Sequence, residues 1–109
     1  MIKILVLAGE DFTGLWDAVL DLHDEPQPQR KASAVLQDLV ERGLVELYVG
    51  EDIALSDPAK LDLEGALAEF SPGPQWDVPA EGDAGPWVYF AATDAGVEWL
   101  RKHHWGKTQ

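Results

Sequence analysis

Two stretches decide the fold of this chain: Gln29–Gly50, QRKASAVLQDLVERGLVELYVG, and Trp87–Leu100, WVYFAATDAGVEWL. In the first, Ala32, Val35, Leu36, Leu39 and Val40 recur at the spacing of one helical face. Gly43 follows this run and can take the left-handed conformation that ends a helix. Beyond it Val45, Leu47 and Val49 alternate with Glu46 and Tyr48, the pattern of a half-buried strand. The second stretch reads in the opposite order. Trp87 to Ala92 is a strand, and Thr93 caps a closing helix with Val97, Leu100 and His104 on one stripe.

Working outward, Ile2 to Ala8 is apolar apart from Lys3. Periodicity does not separate a strand from a buried helix over so short a run. Phe12, Leu15, Trp16, Val19 and Leu20 predict an amphipathic helix, with Asp11 or Thr13 as N-cap. It should stop near His23, because Glu25-Pro26-Gln27-Pro28 cannot continue it. Between the two decisive stretches, Ser56-Asp57-Pro58 or Asp62 can cap a helix through Leu63, Ala66, Leu67 and Phe70. Pro72, Gly73, Pro74, Pro79, Gly82, Gly85 and Pro86 then mark a loop. Trp76 sits inside it, either folded back onto the body or offered to a partner.

The whole chain, residues 1–109, is the length of one domain, and a hydrophobic content of 46% excludes a disordered one. The formal net charge is -12, unevenly spread. Residues 51–86 hold nine acids against Lys60 alone, whereas residues 87–109 hold two acids and three bases. The middle is therefore an acidic insertion between two ordinary pieces. The absence of cysteine excludes disulfides, thiolate catalysis and cysteine-ligated zinc. The N-terminal apolar run is too short for a signal peptide core or a membrane span. A soluble, cytoplasmic protein without membrane attachment is the expectation.

No assembled chemistry emerges. His103 and His104 are adjacent, so on a helix they point about 100° apart and make a poor metal pair. His23 suits the negative end of a helix. With Asp24 and Glu25 it could form part of an acid-base site, but no nucleophile is tied to it by spacing. Asp77, Glu81 and Asp83 lack EF-hand spacing and read as a solvated loop. Gly9 and Gly14 are isolated, which excludes a glycine-rich phosphate loop. No catalytic residue, metal or cofactor is expected, and the chain reads as a non-enzyme.

Glu41-Arg42-Gly43-Leu44-Val45, followed by Tyr89-Phe90-Ala91-Ala92-Thr93-Asp94-Ala95-Gly96, resembles the winged helix-turn-helix domains of PadR-like and MarR-like regulators. The resemblance spans about two-thirds of the chain. It implies an α+β winged helix: a three-helix core, a two-stranded wing and a closing C-terminal helix. Met1 to Ala8 becomes the first helix and Asp11 to Leu22 the second. Gln29 to Arg42 takes the position of the recognition helix, and residues 51–86 become an unusually long acidic wing.

Under that resemblance the exposed candidates for DNA contact are Gln29, Arg30, Lys31, Ser33, Ala34 and Gln37. Residues 26–37 contain two bases and no acid. The strong negative charge argues the other way, because DNA affinity rests on cations that neutralise phosphates. A regulatory or interaction module acting through protein contacts is therefore the leading expectation, and a sequence-specific DNA-binding transcriptional regulator the alternative. Trp76, Trp99 and Trp105 are the candidate anchors for a protein partner or a second copy of the chain. Trp16 and Trp87 are expected in the core.

Overall fold

A computed structural model describes residues 2–10, 12–51, 58–79 and 86–103. Helix α1 (Ile2–Glu10) settles the ambiguity of the first apolar run. A helix satisfies its own backbone groups, so this segment can lie across a sheet face without needing a strand edge. Ile4, Leu5 and Ala8 are buried there, and α1 packs across the last strand while touching the other long helices.

The next segment departs from expectation. Thr13–Gly14 forms a short strand, β1, paired with Phe90 and Tyr89. Helix α2 (Leu15–Asp21) therefore starts later than an N-cap at Thr13 would place it. The Thr13 hydroxyl donates instead to the Leu7 carbonyl at 3.1 Å; Asp11 lies outside the described residues. The buried stripe is narrower than the expected one, since Leu15 and Ala18 are buried while Leu20 is 51% exposed. The helix ends as its sequence suggests: His23 Nδ1 lies 2.9 Å from the Leu20 carbonyl.

Gln27 takes the left-handed conformation (φ 52°) to turn the chain, and Pro28 opens α3 (Pro28–Glu41). Pro is well placed at a first helical position, where its missing N–H is not needed. Ala32, Leu36, Leu39 and Val40 are buried on the predicted face. At the other end Gly43 has φ 74°. Gly43 N–H donates to Val40 O at 3.0 Å, and Leu44 N–H donates to Leu39 O at 2.9 Å. That pair of bonds is the Schellman termination, and it packs buried Leu44 against buried Leu39.

Strand β2 (Val45–Gly50) leads into residues 51–86, whose described parts are more structured than a wing loop. They contain strand β3 (Ala59–Lys60), which the sequence did not signal, and helix α4 (Leu63–Ala68). A short 3-10 turn follows at Pro74–Trp76. Of the two proposed caps, Asp62 is the one used: its carboxylate accepts from Gly65 N–H at 2.7 Å. Ala66 and Phe70 are buried, but Leu63 and Leu67 face outward, 59% and 36% exposed.

Strand β4 (Trp87–Ala92) returns antiparallel to β2, from Val45↔Ala92 to Gly50↔Trp87. The four-stranded antiparallel sheet has the order β1-β4-β2-β3. This register puts Val45, Leu47, Val88 and Phe90 on the face covered by helices, and all four are buried. Tyr48, Tyr89 and Trp87 occupy the opposite face. There an aromatic cluster forms: Phe12 meets Tyr48 edge-on at 4.9 Å, and Trp16 meets Tyr89 at 5.8 Å.

Helix α5 (Asp94–His103) closes the structure. Thr93 caps it by accepting from Gly96 N–H at 3.0 Å, and the same hydroxyl donates to Gly43 O at 2.6 Å. Leu100 is fully buried; His104, expected on the same stripe, lies outside the described residues. Among the described residues the protein is a mixed α+β fold of five α-helices and one antiparallel sheet. No helix among them is long and apolar enough to cross a membrane.

Gly96 is the tightest point. A Cβ there would lie 2.1 Å from the Leu44 carbonyl oxygen, which is backbone and cannot swing away. Gly96→Ala should destabilise by about 2–3 kcal/mol through forced separation of α5 from the α3–β2 turn. Gly43→Ala should cost only about 1 kcal/mol, the left-handed penalty without a clash. Urea unfolding midpoints at constant m-value would rank the two.

Candidate functional site

The surface that the sequence nominated for DNA is the outer side of α3. The structure places its members in three different situations. Gln29 and Ser33 turn toward the acidic insertion: Ser33 Oγ donates to Phe70 O at 2.7 Å, and Gln29 Nε2 lies 3.5 Å from Gly73 O. Lys31 and Gln37 face solvent but are engaged locally. Lys31 pairs with Glu25 at 3.5 Å, and Gln37 donates to Glu41 at 3.1 Å. Arg30 and Ala34 are exposed, and Arg30 has no side-chain partner among the described residues.

The electrostatics of this face follow from the same neighbours. Arg42 lies 2.9 Å from Asp38, one helical turn earlier. The cations Arg30, Lys31 and Arg42 are thus matched in number by Glu25, Asp38 and Glu41. Exposed pairs of this kind contribute little to stability, on the order of 0–1 kcal/mol each. Their consequence is a face without net positive charge.

The insertion reaches α3 because of Trp76. Its side chain is only 2% exposed and packs against Phe70, ring centroids 6.4 Å apart. The indole N–H donates to the carbonyls of Glu69 and Ser71 at 3.2 and 3.3 Å. Gln75 Nε2 donates to the same two carbonyls, both at 2.9 Å. A buried indole with its donor satisfied is a core residue, so Trp76 is corrected from a partner anchor to a structural plug. Between α3 and this plug runs a groove of about 540 Å³, bordered by Arg30, Ala34, Gln37 and Pro72.

The other proposed anchors fare differently. Trp99 is half-buried against the core and stacks on His103, ring centroids 4.6 Å apart. Trp105 lies outside the described residues. Trp16 and Trp87, expected in the core, are half-buried instead and meet edge to face at 6.0 Å on the outer side of the sheet. The Trp87 indole nitrogen is buried without a partner among the described residues, which costs on the order of 1–3 kcal/mol.

Sequence reasoning missed this aromatic corner because its cause is a glycine. By register Gly14 stands opposite Tyr89. A Cβ at Gly14 would lie 2.3 Å from the Trp16 ring, so a side chain there would push that indole out of its present place. The spacing Gly14-Leu15-Trp16 carries no periodic signal that could have revealed it.

Among the described residues no three His, Asp or Glu gather as a metal site; Glu81 and Asp83 lie outside them. Lys60 contacts Glu46 at 2.7 Å across the sheet edge. That hydrogen bond, and then the carboxylate charge, raise the Lys60 ammonium above its ordinary range.

Trp76→Ala should cost about 3–5 kcal/mol, the penalty for emptying a large aromatic site. Ser33→Ala should cost about 1 kcal/mol by leaving the Phe70 carbonyl without its donor. Chemical denaturation, with near-UV circular dichroism to follow the tryptophans, would measure both. Compared with protein families, curated proteins and solved structures, the chain finds no match.

Proposed function

We propose that this chain is a non-enzymatic regulatory or interaction module on a winged-helix frame, acting through protein contacts. The winged-helix reading is supported by element order and strand order together. A helix, a short strand and two helices precede a strand pair and a closing helix. The short first strand lies beside the last one, as a winged helix requires.

The observation that carries the protein-contact reading is the acidic insertion packed along one flank of α3. It draws Gln29 and Ser33 into internal hydrogen bonds. Base readout needs such side chains free at the helix start. The remaining cations of the face are balanced by carboxylates, so the gain from releasing counterions on DNA is small. A formal net charge of -12 adds long-range repulsion from phosphates and attraction for a basic partner. The half-buried Trp99 on the closing helix is a contact point for such a partner or a second copy.

The competing DNA reading keeps one specific support, the exposed Arg30, unpaired among the described residues and beside Ala34 and Gln37. Selection from a random DNA pool at low salt, followed by retesting at physiological salt, separates the two. The expected outcome is weak retention that vanishes with salt and no enriched motif. A single motif that survives the salt, and is lost in Arg30→Ala/Lys31→Ala, would overturn the protein-contact reading.

A further inference from the structure

A second groove, of about 470 Å³, lies on the far side of the insertion. One wall is the corner made by Trp16 and Trp87, whose ring planes stand at 78° to each other. The other wall comes from the insertion and carries Glu69, Asp77 and the 59% exposed Val78. Among the described residues no Lys or Arg lines the groove.

Among the described residues, four acids of the body are neutralised by a neighbouring cation, and the two in this groove are not. Glu25, Asp38, Glu46 and Glu98 each have a cation within 4 Å. Glu69 and Asp77 have neither an ion pair nor a side-chain hydrogen bond among the described residues. Two tryptophans and two acids without an ion pair therefore line one groove. Indole faces attract cations through their quadrupole, and carboxylates attract them by charge.

We propose that this groove is a docking site for an arginine side chain of a basic protein segment. The proposal rests on the protein-contact reading and adds the chemistry that the partner must present. A planar guanidinium can lie on an indole face and hold a carboxylate through two parallel N–H bonds, which a lysine ammonium cannot do. The flanking Val78 and Val88 suit the aliphatic stem of the same side chain. The overall charge of -12 favours approach of a basic segment before any contact forms.

The test is fluorescence anisotropy of labelled hexaarginine and hexalysine peptides with the full chain at physiological salt. Hexaarginine should bind the tighter of the two. The isosteric variant Glu69→Gln/Asp77→Asn should weaken hexaarginine binding about tenfold, through loss of both charged acceptors. Asp24→Asn/Glu41→Gln removes the same charge outside the groove lining and should change affinity less than about twofold, as screening predicts. All four positions keep their size, and near-UV circular dichroism verifies folding. Equal losses in the two variants, no preference for arginine, or no binding at all would overturn the groove. These results leave the protein-contact reading standing, whereas a salt-resistant DNA motif would remove that reading itself.

Discussion

The carbonyl of Leu44 is the point on which the rest of the structure depends. It accepts from Thr93 N–H at 3.0 Å, and Gly96 lies directly against it. Thr93 completes the joint by donating its hydroxyl to the Gly43 carbonyl while capping α5. The end of α3 and the start of α5 are thereby clipped together through backbone atoms. The pairing of β2 with β4 begins at the next residue, Val45↔Ala92. A one-residue slip there would turn Val45 and Leu47 from the helical core to the aromatic face, so the joint sets the register. It needs glycine twice for different reasons: left-handed backbone at Gly43, and absence of a side chain at Gly96.

The acidic insertion changes what the frame can do. An insertion of that charge hanging free would stay solvated and mobile. Here Trp76 and Phe70 anchor it to the body, and it occupies the flank of α3. The anchoring creates one groove on each side of the plug. The α3 groove is bordered by a balanced set of charges, the other by aromatic rings and unpaired carboxylates. The difference in chemistry follows from placement, since the same short segment contributes residues to both.

Legibility in the sequence varied with the range of the cause. Helix α3, its glycine stop and both long strands were readable because each depends on residues within a few positions. The Asp62 and Thr93 caps were readable for the same reason. Helix α2 is shorter than its spacing suggests because Phe12 fits the helical pattern by chance, while Thr13 and Gly14 answer to a strand some 75 residues away. Trp76 could not be assigned to core or surface from composition, because prolines and glycines around it signal a loop and not where the loop goes. The nominated α3 surface was correctly placed at a helix start, but two of its six residues are drawn into the insertion by contacts that no local pattern encodes.

The sequence by itself determined helix α3 and its glycine stop, the two long strands, the charge distribution and the absence of cysteine chemistry. These follow from side-chain spacing, backbone preference and composition, which act over a turn or two. Tertiary structure alone decided that Ile2–Glu10 is a helix and that Thr13–Gly14 is a strand. It also decided that Trp76 is core and that Trp16 and Trp87 form a half-buried corner beside Glu69 and Asp77. Those outcomes depend on which distant segment arrives to cover a surface. Burial and pairing are properties of two segments together, and neither segment carries them alone.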